Sequence, residues 1–568
     1  MTKDRKKKQI IIFVVLILSV LCININTGVS KWINYYDYDV RTSSTYYDVI
    51  IDDTSANNWT WAKNQGYCTG TGTIGDPYLI EGHDFRVTNY TASLTIRNSV
   101  KYFKIRSCNF RSSEFGIINA TGLYLHNVTN GHIQESAFSY FIMGITAINC
   151  NLTTFFGLNF EFSNYGIEIN SCFNNTFQEN EFYQIYNKSL SLLYSNRNII
   201  FGNFIQQSED GLYLFNSHYN EVTGGVIHRN NGTGIYLYAS SNNIFVSVTS
   251  AKNGEGIILS YSTNNQFIMC SSSNNYGTGL KIDSGGQNII DEGNFYNNSK
   301  AGINLELSIN NSILDSQVWY NNGEGITLMN CIYSTLVGNN IEKNLLDGIL
   351  SIGSSFNQIS ANKIILNHYE ELIPVNYSVG INLIISSFNT IKDNIIEEYL
   401  NSSGISLISS IGNNIINNRV EGPTDFDYSI RIIYSLRNTG INLLSSSDNN
   451  IVNNYIFTND IGIYLKSSDN NLISTNTIDN VYSASEMYGI LMDNSTHNFI
   501  FDNIITKIFP ENCIVERDCH DNILSGNSCN QDTFWQTTIS LGSLTLSLGL
   551  NLVLLILFIR KRKKIRGD

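Results

Sequence analysis

Hydrophobic and polar positions alternate along most of this chain in short segments that repeat. In residues 440–461, GINLLSSSDNNIVNNYIFTNDI, Ile441 and Leu443 alternate with polar neighbours, and Ile451 and Ile456 follow a polar turn. Alternation over a few residues between polar turns is the pattern of a strand, and each segment is too short for a helix. The pattern therefore predicts short strands separated by tight turns.

A glycine followed by an aliphatic residue marks the start of each repeat, with a period of 22 to 23 residues through the middle of the chain. Self-similarity at a fixed period of this size predicts a solenoid of stacked repeats. Glycine at this place indicates either a positive φ or a close approach of two backbones. The column comprises Gly144, Gly166, Gly211, Gly234, Gly256, Gly279, Gly302, Gly325, Gly348, Gly380, Gly404, Gly440, Gly462 and Gly489.

A column of asparagine residues supports the same register, each 14 residues after its glycine and two before an aliphatic or aromatic residue. If one repeat forms one coil, these side chains stack about 4.8 Å apart, and their amides can hydrogen-bond along the stack. We expect an all-β parallel β-helix of about 18 to 20 coils, with aliphatic columns inside and asparagine-rich turns outside. The column comprises Asn180, Asn339, Asn362, Asn394, Asn418, Asn454, Asn476 and Asn503.

A leucine-rich repeat is the rival solenoid, because it has a similar period and also contains an asparagine. That fold needs an L-x-x-L-x-L-x-x-N run and a helical return. In this chain isoleucine is favoured over leucine and the returning half is itself strand-like, which favours the β-helix.

The G-I-x-L…S-x-x-N-x-I…N-x-I pattern resembles the right-handed parallel β-helix repeat of the NosD-like family over residues 116–527. Residues 70–82, GTGTIGDPYLIEG, look like the lead-in found at the start of such domains. The resemblance implies a right-handed helix and, because NosD-like proteins are associated with copper insertion into nitrous oxide reductase, a copper role. Pectate lyases, epimerases and surface proteins share the fold, so function has to be argued from a site.

The N-terminus has the composition of an export signal. Basic residues at positions 3 and 5–8 precede an apolar run over residues 10–22, and small residues at 28 and 30 fit a cleavage before Lys31. This arrangement is typical of a signal peptide, with an uncleaved signal anchor as the alternative. The sequons Asn58 and Asn494, among others, agree with an exported glycoprotein.

The C-terminus predicts one membrane-spanning helix at residues 541–559, which carry no charge and are long enough to cross a bilayer. Because basic residues next to a membrane helix stay on the cytoplasmic side, the basic tail that follows is predicted to be cytoplasmic and the solenoid to lie outside the cell membrane. The predicted domains are a signal peptide or anchor at 1–30, a lead-in and cap at 31–75, the β-helix at 76–530, a short stalk at 531–540, the membrane helix at 541–559 and the cytoplasmic tail at 560–568.

Charge is unevenly distributed along the chain. The two terminal segments hold 11 of the 35 Lys and Arg residues and two of the 48 Asp and Glu residues. Residues 31–540 therefore keep 24 basic and 46 acidic residues, a net charge of −22. So acidic a surface argues against nucleic acid as a partner, because phosphates need neutralising, and is compatible with cations.

Two groups of cysteines fall at places where disulfides are geometrically feasible. Cys150 and Cys172 are 22 residues apart in the same column, so we expect them to stack about 4.8 Å apart, within disulfide range; a stack of reduced thiols is the alternative. Cys513, Cys519 and Cys529 lie in the last coil, where one disulfide would staple the end of the solenoid. A metal held by Cys519, its neighbouring histidine and Cys529 is the other possibility.

An aromatic ladder is the first candidate binding surface. Tyr213 and Phe215 on one coil precede Tyr236 and Tyr238 on the next, and alternation with leucine and isoleucine turns all four outward. Such a ladder can stack on sugar rings, since exposed apolar patches usually mark contacts. Cross-strand pairing that only stabilises the sheet is the alternative.

The second candidate lies where the glycine spacing grows to 32, 36 and 27 residues. The column asparagine is kept in each case, so the extra residues fall at one corner of the coils, often the binding face of a solenoid. Glu370, Glu371, Asp425 and Asp427 in these loops could bind Ca²⁺ or supply an acid/base pair for sugar chemistry. Ordinary polar loops are the alternative.

Two further observations bear on function. Glu324 and Asp347 precede their glycines on neighbouring coils, so two stacked carboxylates would raise one pKa; a solvated turn is the alternative. The eight His and six Met residues form no repeated ligand column, which speaks against the copper role.

Three functions remain. We favour a membrane-anchored surface scaffold that binds glycans, neighbouring surface proteins or cations, because no Ser-His-Asp, P-loop or zinc-hydrolase motif is present in the sequence. The alternatives are a carbohydrate-active lyase or hydrolase with its site in the 365–435 loops, and a NosD-like copper-maturation factor.

Overall fold

A computed structural model of the protein describes most of the region predicted to form the solenoid. The described residues belong to one compact unit, Thr42–Asp568. The predicted signal segment, stalk, membrane helix and basic tail lie outside them. Within the described residues, no helix has the length and apolar character needed to cross a membrane. The described ranges are 44–88, 91–112, 118–365, 367, 378–397, 402–422, 438–457, 459–479, 487–508 and 510–530.

The strands form three parallel sheets, here named A, B and C, which the chain visits in that order on every coil. Each strand pairs with strands of the same sheet one coil before and one coil after. In sheet B, for example, Ile303 lies opposite Ile326, which lies opposite Ile349. This is the parallel β-helix that the repeat predicted. Sheet A has 20 described strands and sheets B and C have 19 each, in agreement with the expected number of coils.

Sheet A comprises Ser44–Tyr47, His83–Val87, Asn109–Ser112, Ala137–Ser139, Asn159–Glu161, Glu181–Tyr183, Phe204–Gln206, Val226–His228, Thr249–Ala251, Ser271–Ser273, Asn294–Tyr296, Gln317–Trp319, Asn340–Glu342, Lys363–Ile365, Ile395–Glu397, Arg419–Glu421, Tyr455–Phe457, Thr477–Asp479, Ile504–Thr506 and Ser528–Asn530. Sheet B comprises Val49–Asp52, Ala92–Ser99, Ile118–Val128, Phe141–Ile148, Tyr165–Asn170, Lys188–Leu193, Asp210–Phe215, Thr233–Tyr238, Glu255–Ser260, Leu280–Asp283, Ile303–Glu306, Ile326–Met329, Ile349–Ile352, Ile381–Ile384, Ser403–Ile408, Thr439–Leu444, Ile461–Lys466, Tyr488–Asp493 and Ile514–Arg517. Sheet C comprises Tyr78–Glu81, Phe103–Arg106, Gly131–Gln134, Thr154–Phe156, Thr176–Gln178, Ile199–Phe201, Glu221–Thr223, Ile244–Val246, Gln266–Ile268, Ile289–Asp291, Ser312–Leu314, Thr335–Val337, Gln358–Ser360, Thr390–Lys392, Asn414–Ile416, Asn450–Val452, Leu472–Ser474, Phe499–Phe501 and Ile523–Ser525.

Within the described ranges, two short helices interrupt this pattern, Trp59–Asn64 and the 3₁₀ helix Pro510–Asn512. The first follows strands that begin at Ser44, inside the segment predicted as a lead-in and cap. Trp59 is buried, stacks on Tyr78 with 4.7 Å between ring centroids, and donates its Nε1–H to Ser99 Oγ at 2.8 Å. The helix thus adds a large side chain to the core at the N-terminal end.

The repeat glycines allow a close approach of neighbouring coils. A Cβ placed on Gly325 would lie 2.6 Å from the carbonyl oxygen of Gly348 and would also overlap the side chain of Ile341. Positive φ, the other explanation that the sequence left open, occurs at other glycines and at turn residues, and no described glycine of this column adopts it. Steric contact between stacked coils therefore explains the column.

The side chains of the asparagine column are buried inside the turns. The prediction that the asparagine-rich turns place them on the outside is therefore wrong. Asn339 is fully buried, and its Oδ1 accepts a hydrogen bond from the Ser316 N–H at 3.0 Å. Its Nδ2 donates to Asn362 Oδ1 and to the Ile313 carbonyl oxygen, each at 2.9 Å. Buried backbone groups of a turn need partners, and an amide side chain offers both a donor and an acceptor. The predicted hydrogen bonding along the stack is confirmed.

Two more asparagine ladders, which the sequence analysis did not single out, run at the other two corners. One lies between sheets B and C and includes Asn243, whose Nδ2 donates to Asn265 Oδ1 at 3.1 Å. The other lies between sheets A and B and includes Asn321, whose Nδ2 donates to Asn344 Oδ1 at 2.9 Å. Buried amides therefore line all three corners of the coil.

Candidate functional site

The four predicted aromatic residues lie together on the outer face of sheet B. Tyr213 is opposite Tyr236 and Phe215 is opposite Tyr238 on consecutive strands. All four are partly exposed, while the leucine and isoleucine residues between them are buried, Leu214 among them. The alternation of the strand thus orients these side chains as predicted, because successive residues point to opposite faces.

The rings of these residues contact one another across the strands. Phe215 and Tyr238 are nearly parallel with 5.5 Å between centroids, and Tyr213 and Tyr236 are 5.5 Å apart at an interplanar angle of 56°. Aromatic pairs of this kind contribute about 0.5–1.5 kcal/mol beyond their buried area. The ladder therefore stabilises the sheet and still exposes part of each ring to solvent.

Two tyrosines that the sequence analysis missed extend this surface at the corner between sheets B and C. Tyr194 packs edge-on against Phe215 at 5.4 Å, and Tyr261 packs against Tyr238 at 5.6 Å. Their exposed fractions are 53 % and 59 %. Each lies one residue after a strand of sheet B, so an aromatic residue at that repeat position was the available signal. We name the six residues the sheet B cluster: Tyr194, Tyr213, Phe215, Tyr236, Tyr238 and Tyr261.

Polar groups border one end of the sheet B cluster. Lys188 Nζ lies 4.6 Å from the ring centroid of Tyr213, a cation–π geometry. Burial raises the pKa of the Glu168 carboxyl, and Lys188 opposes the shift. Burial also raises the pKa of the Tyr213 hydroxyl. The hydroxyl of Ser191, between Glu168 and Tyr213 in the same column, has no partner within the described residues. Hydrogen-bonding groups thus adjoin the aromatic surface.

The acidic residues predicted in the insertions, Glu370, Glu371, Asp425 and Asp427, lie outside the described residues. The flanking strands show where the insertions enter the fold. One falls between Lys363–Ile365 of sheet A and Ile381–Ile384 of sheet B. The next falls between Arg419–Glu421 and Thr439–Leu444, again from sheet A to sheet B. These insertions therefore share one corner of the coil.

Asp347 has a perturbed pKa in the same corner. Its Oδ1 accepts from the Val379 N–H at 2.7 Å and its Oδ2 from Asn382 Nδ2 at 2.9 Å. Burial raises the pKa of this carboxyl to about 6, and the charge of Glu324 adds a smaller contribution. Desolvation therefore raises the pKa of Asp347 more than the neighbouring Glu324 carboxylate does, because burial disfavours a charge.

The cysteines in the described part of the chain divide into one disulfide and a set of free thiols. Cys513 and Cys529 form a disulfide with 6.1 Å between Cα atoms, and Cys519 is a free thiol. Cys150 and Cys172 are stacked, as expected, but both are free, and the Cys150 N–H donates to Cys172 Sγ at 3.2 Å. The hydrogen bond between the two thiols and their burial raise the pKa of Cys150.

The two cysteines belong to a column that continues as a serine ladder. The Cys172 N–H donates to Ser195 Oγ at 3.0 Å, and the Ser195 N–H donates to Ser217 Oγ at 3.0 Å. Cys150 and Cys172 therefore occupy a column in which later coils carry serine, and Cys172 Sγ accepts the backbone hydrogen bond that a serine Oγ accepts in those coils.

The described residues do not fit a copper centre. They contain no group of three or more His, Cys, Asp or Glu side chains that could hold a metal ion. Cys529 is bonded to Cys513 in the disulfide. Its sulfur therefore cannot be a metal ligand together with Cys519 and His520. Any Ca²⁺ site in the acidic insertions falls outside the part of the chain that the structure describes.

Comparison with known families agrees with this architecture. The family model described as right handed beta helix region matches residues 246–373 and 373–529, half of the chain. The chain therefore belongs to the right-handed β-helix family. The model of the periplasmic copper-binding protein NosD matches residues 103–275, so the repeat is NosD-like.

Several solved structures are similar to this chain at low sequence identity. The periplasmic alginate epimerase AlgG is 14 % identical, with a TM-score of 0.40, over 63 % of this chain and 87 % of that one. The A-module of mannuronan C-5 epimerase AlgE4 from Azotobacter vinelandii is 12 % identical, with a TM-score of 0.32, over 57 % and 82 % of the two chains. A tailspike mutant of E. coli bacteriophage HK620 is 11 % identical, with a TM-score of 0.37, over 61 % and 71 %. No curated protein matches the chain.

Proposed function

We propose that this protein is a non-enzymatic β-helix outside the cytoplasm that binds carbohydrate on the outer face of sheet B. The sheet B cluster carries the proposal. It presents six neighbouring, partly exposed aromatic rings on a continuous hydrogen-bonded sheet. Exposed apolar patches usually mark contacts, and a site built on strands is held more rigidly than one on loops.

Carbohydrate fits this surface because a pyranose ring has an apolar face and a rim of hydroxyl groups. The aromatic rings offer the apolar contact. Lys188 and Glu168 at the border offer hydrogen bonds to hydroxyls. A ligand that was apolar throughout would leave these polar groups without partners, which costs free energy.

The terminal segments support a location outside the cytoplasm. The predicted signal segment 1–30 directs export, and the predicted membrane helix 541–559 with its basic tail anchors the chain to the cell membrane. The NosD family is described as periplasmic, which agrees with export. The solenoid would then face the cell exterior or an envelope compartment.

The proposal is tested by screening the full chain on an array of neutral and acidic polysaccharides, with and without Ca²⁺. We expect Tyr236→Ser to weaken binding at least tenfold, because it removes a central ring and places there the residue found at position 191 of the same column. Tyr296→Ser is the matched control, since Tyr296 is also a partly exposed, stacked aromatic residue, but on sheet A.

Two results would contradict this function. Absence of binding to every glycan would remove the carbohydrate-binding role. New reducing ends or unsaturated products from a bound glycan would instead establish a carbohydrate-active enzyme. A parallel titration with copper, read as metal retained per chain, tests the role implied by the family resemblance.

A further inference from the structure

A cavity of about 420 Å³ opens at the corner between sheets B and C, on the coil after Tyr261. Its floor contains Gly285 and Gly286. Gly286 pairs with Thr263 on the coil before and with Ile309 on the coil after, so a side chain is missing at one place in a column that otherwise carries them. The cavity is lined by Thr263, Ser284, Gly285, Gly286, Gln287, Leu307, Ile309, Asn310 and Tyr333.

The lining of the cavity combines apolar and uncharged polar groups. Leu307, Ile309 and Tyr333 are exposed apolar or aromatic side chains on one side. Gln287 and Asn310 add amides, and two hydroxyl side chains complete the lining. None of the nine lining residues carries a charge. This composition suits an uncharged ligand that has both an apolar face and hydroxyl groups.

The amide ladder of this corner is incomplete beside the cavity. Asn288 Nδ2 donates to the carbonyl oxygen of Ser262, 26 residues earlier, at 3.0 Å. The equivalent acceptor for Asn311 is Gly285, but Asn311 Nδ2 is buried and has no partner within the described residues. An unpartnered buried donor is uncommon in proteins. Here it directly follows Asn310, one of the residues that line the cavity.

A second aromatic ladder continues from the cavity along the same corner. Tyr333 and Phe356 have ring centroids 5.4 Å apart, and Phe356 and Phe388 are 5.2 Å apart. Their exposed fractions are 53 %, 49 % and 54 %. A Cβ placed on Gly412 would overlap the Phe388 ring, so this ring lies over the next coil. We name Tyr333, Phe356 and Phe388 the corner ladder.

The sheet B cluster, the cavity and the corner ladder follow one another without a gap. Tyr261 belongs to the sheet B cluster, its near neighbour Thr263 lines the cavity, and Tyr333 belongs to both the cavity and the corner ladder. From Tyr194 to Phe388 the path crosses nine coils, which is about 40 Å at the spacing of paired strands. A path of this length suits a chain-like ligand rather than a small molecule.

We propose that this corner binds one chain of an uncharged linear polysaccharide, which lies parallel to the solenoid axis with one sugar unit in the Gly285–Gly286 cavity. The inference rests on the proposed carbohydrate-binding function and names its ligand class and direction. The ring spacing of the corner ladder is close to the length of one pyranose unit. The net charge of −22 over residues 31–540 disfavours a polyuronate, since like charges repel.

The test measures affinity of the full chain by calorimetry for cello-, manno- and xylo-oligosaccharides of increasing length, with oligogalacturonates for comparison. Tyr333→Asn with Phe356→Asn removes two rings of the corner ladder, and asparagine already occupies this positive-φ position at Asn310. Leu307→Asn removes an apolar side chain from the cavity lining and places there the residue found at Asn330, the same positive-φ position one coil later. His497→Asn is the matched control, because His497 holds the same turn position, with positive φ, far from the cavity.

We expect affinity for a neutral oligosaccharide to rise with chain length. The double variant and Leu307→Asn should each lower affinity for the octasaccharide at least tenfold, and His497→Asn should leave it unchanged. If Tyr236→Ser weakens binding and the corner variants do not, the extended site is wrong and the sheet B site stands. If only the corner variants weaken it, the sheet B site is wrong. Tighter binding of oligogalacturonates, or affinity independent of length, would overturn the proposed ligand class.

Discussion

Two adjacent asparagines, Asn339 and Asn340, have different structural roles. Asn339 is buried and hydrogen-bonds to three residues on neighbouring coils, whereas Asn340 is half-buried on the outer face of sheet A and donates to Gln317 Oε1. The difference is one of register, because adjacent residues at the start of a strand point in opposite directions. The energetic consequences of substitution should differ accordingly.

Asn339→Ala should lower the free energy of unfolding by about 2–3 kcal/mol, because it leaves the Ser316 N–H and the Ile313 carbonyl group buried without partners. Asn340→Ala is the matched control and should cost less than about 0.5 kcal/mol, as surface substitutions usually do. Chemical denaturation followed by circular dichroism measures both. Equal losses for the two variants would contradict the assignment of the ladder.

Asp347 should make stability depend on pH. Its pKa is about 6 in the folded protein against 3.8 for the unperturbed group, so the folded state holds the proton more tightly. The free energy of unfolding should therefore fall by about 3 kcal/mol as pH rises from about 4 to about 6, since stability decreases wherever the folded state binds more protons. Asp347→Asn should remove this fall.

Denaturation of wild type and variant across that pH range measures the difference between them. Glu324→Gln is the control for the neighbouring charge and should retain most of the fall, because burial is the larger cause. A wild-type fall that persists in Asp347→Asn would show that another group titrates there.

At the scale of the element, a coil is held by contact between its neighbours. Gly325 packs against the Gly348 carbonyl and Ile341, and the amide ladders tie each corner to the next coil. Each short strand gains most of its partners from the coils on either side, as in other solenoids. Within the described residues, the first and last coils pair with a neighbouring coil on one side only.

The disulfide Cys513–Cys529 lies at the C-terminal end of the described solenoid. It closes a segment with a sequence separation of 16, for which loop entropy predicts about 3 kcal/mol of stabilisation. Cys513→Ser with Cys529→Ser should therefore increase hydrogen exchange in the strands Ile514–Arg517 and Ser528–Asn530. Cys519→Ser, which removes a free thiol of the same coil, should leave exchange there unchanged; loss of protection in this control would contradict the assignment.

At the scale of the whole molecule, the candidate sites exist only because coils are stacked. The residues of the sheet B cluster come from consecutive repeats, and the cavity is lined by residues of four coils, from Thr263 to Tyr333. Stacking turns one aromatic side chain per repeat into a continuous surface about 5 Å from ring to ring. The proposed ligand would therefore contact many coils at once. A substitution in one coil would weaken binding without abolishing it.

The period of the glycine and aliphatic positions was sufficient to predict the β-helix, because each repeat must bury the same apolar positions against its neighbours. The outward orientation of Tyr213, Phe215, Tyr236 and Tyr238 followed from strand alternation for the same reason. Both rules can be applied to the sequence directly, because they depend on the order of apolar and polar residues along the chain.

Other features depended on the closed coil. The burial of Asn339 could not be predicted, because polarity alone indicates an exposed turn and only the stacked backbone groups require an inward amide. The role of Cys172 Sγ as a backbone hydrogen-bond acceptor in the column of the serine ladder likewise depends on the stacked coils. The cavity lies where Gly286 pairs with Thr263 on one coil and Ile309 on the next. It could not be predicted without the register of these coils.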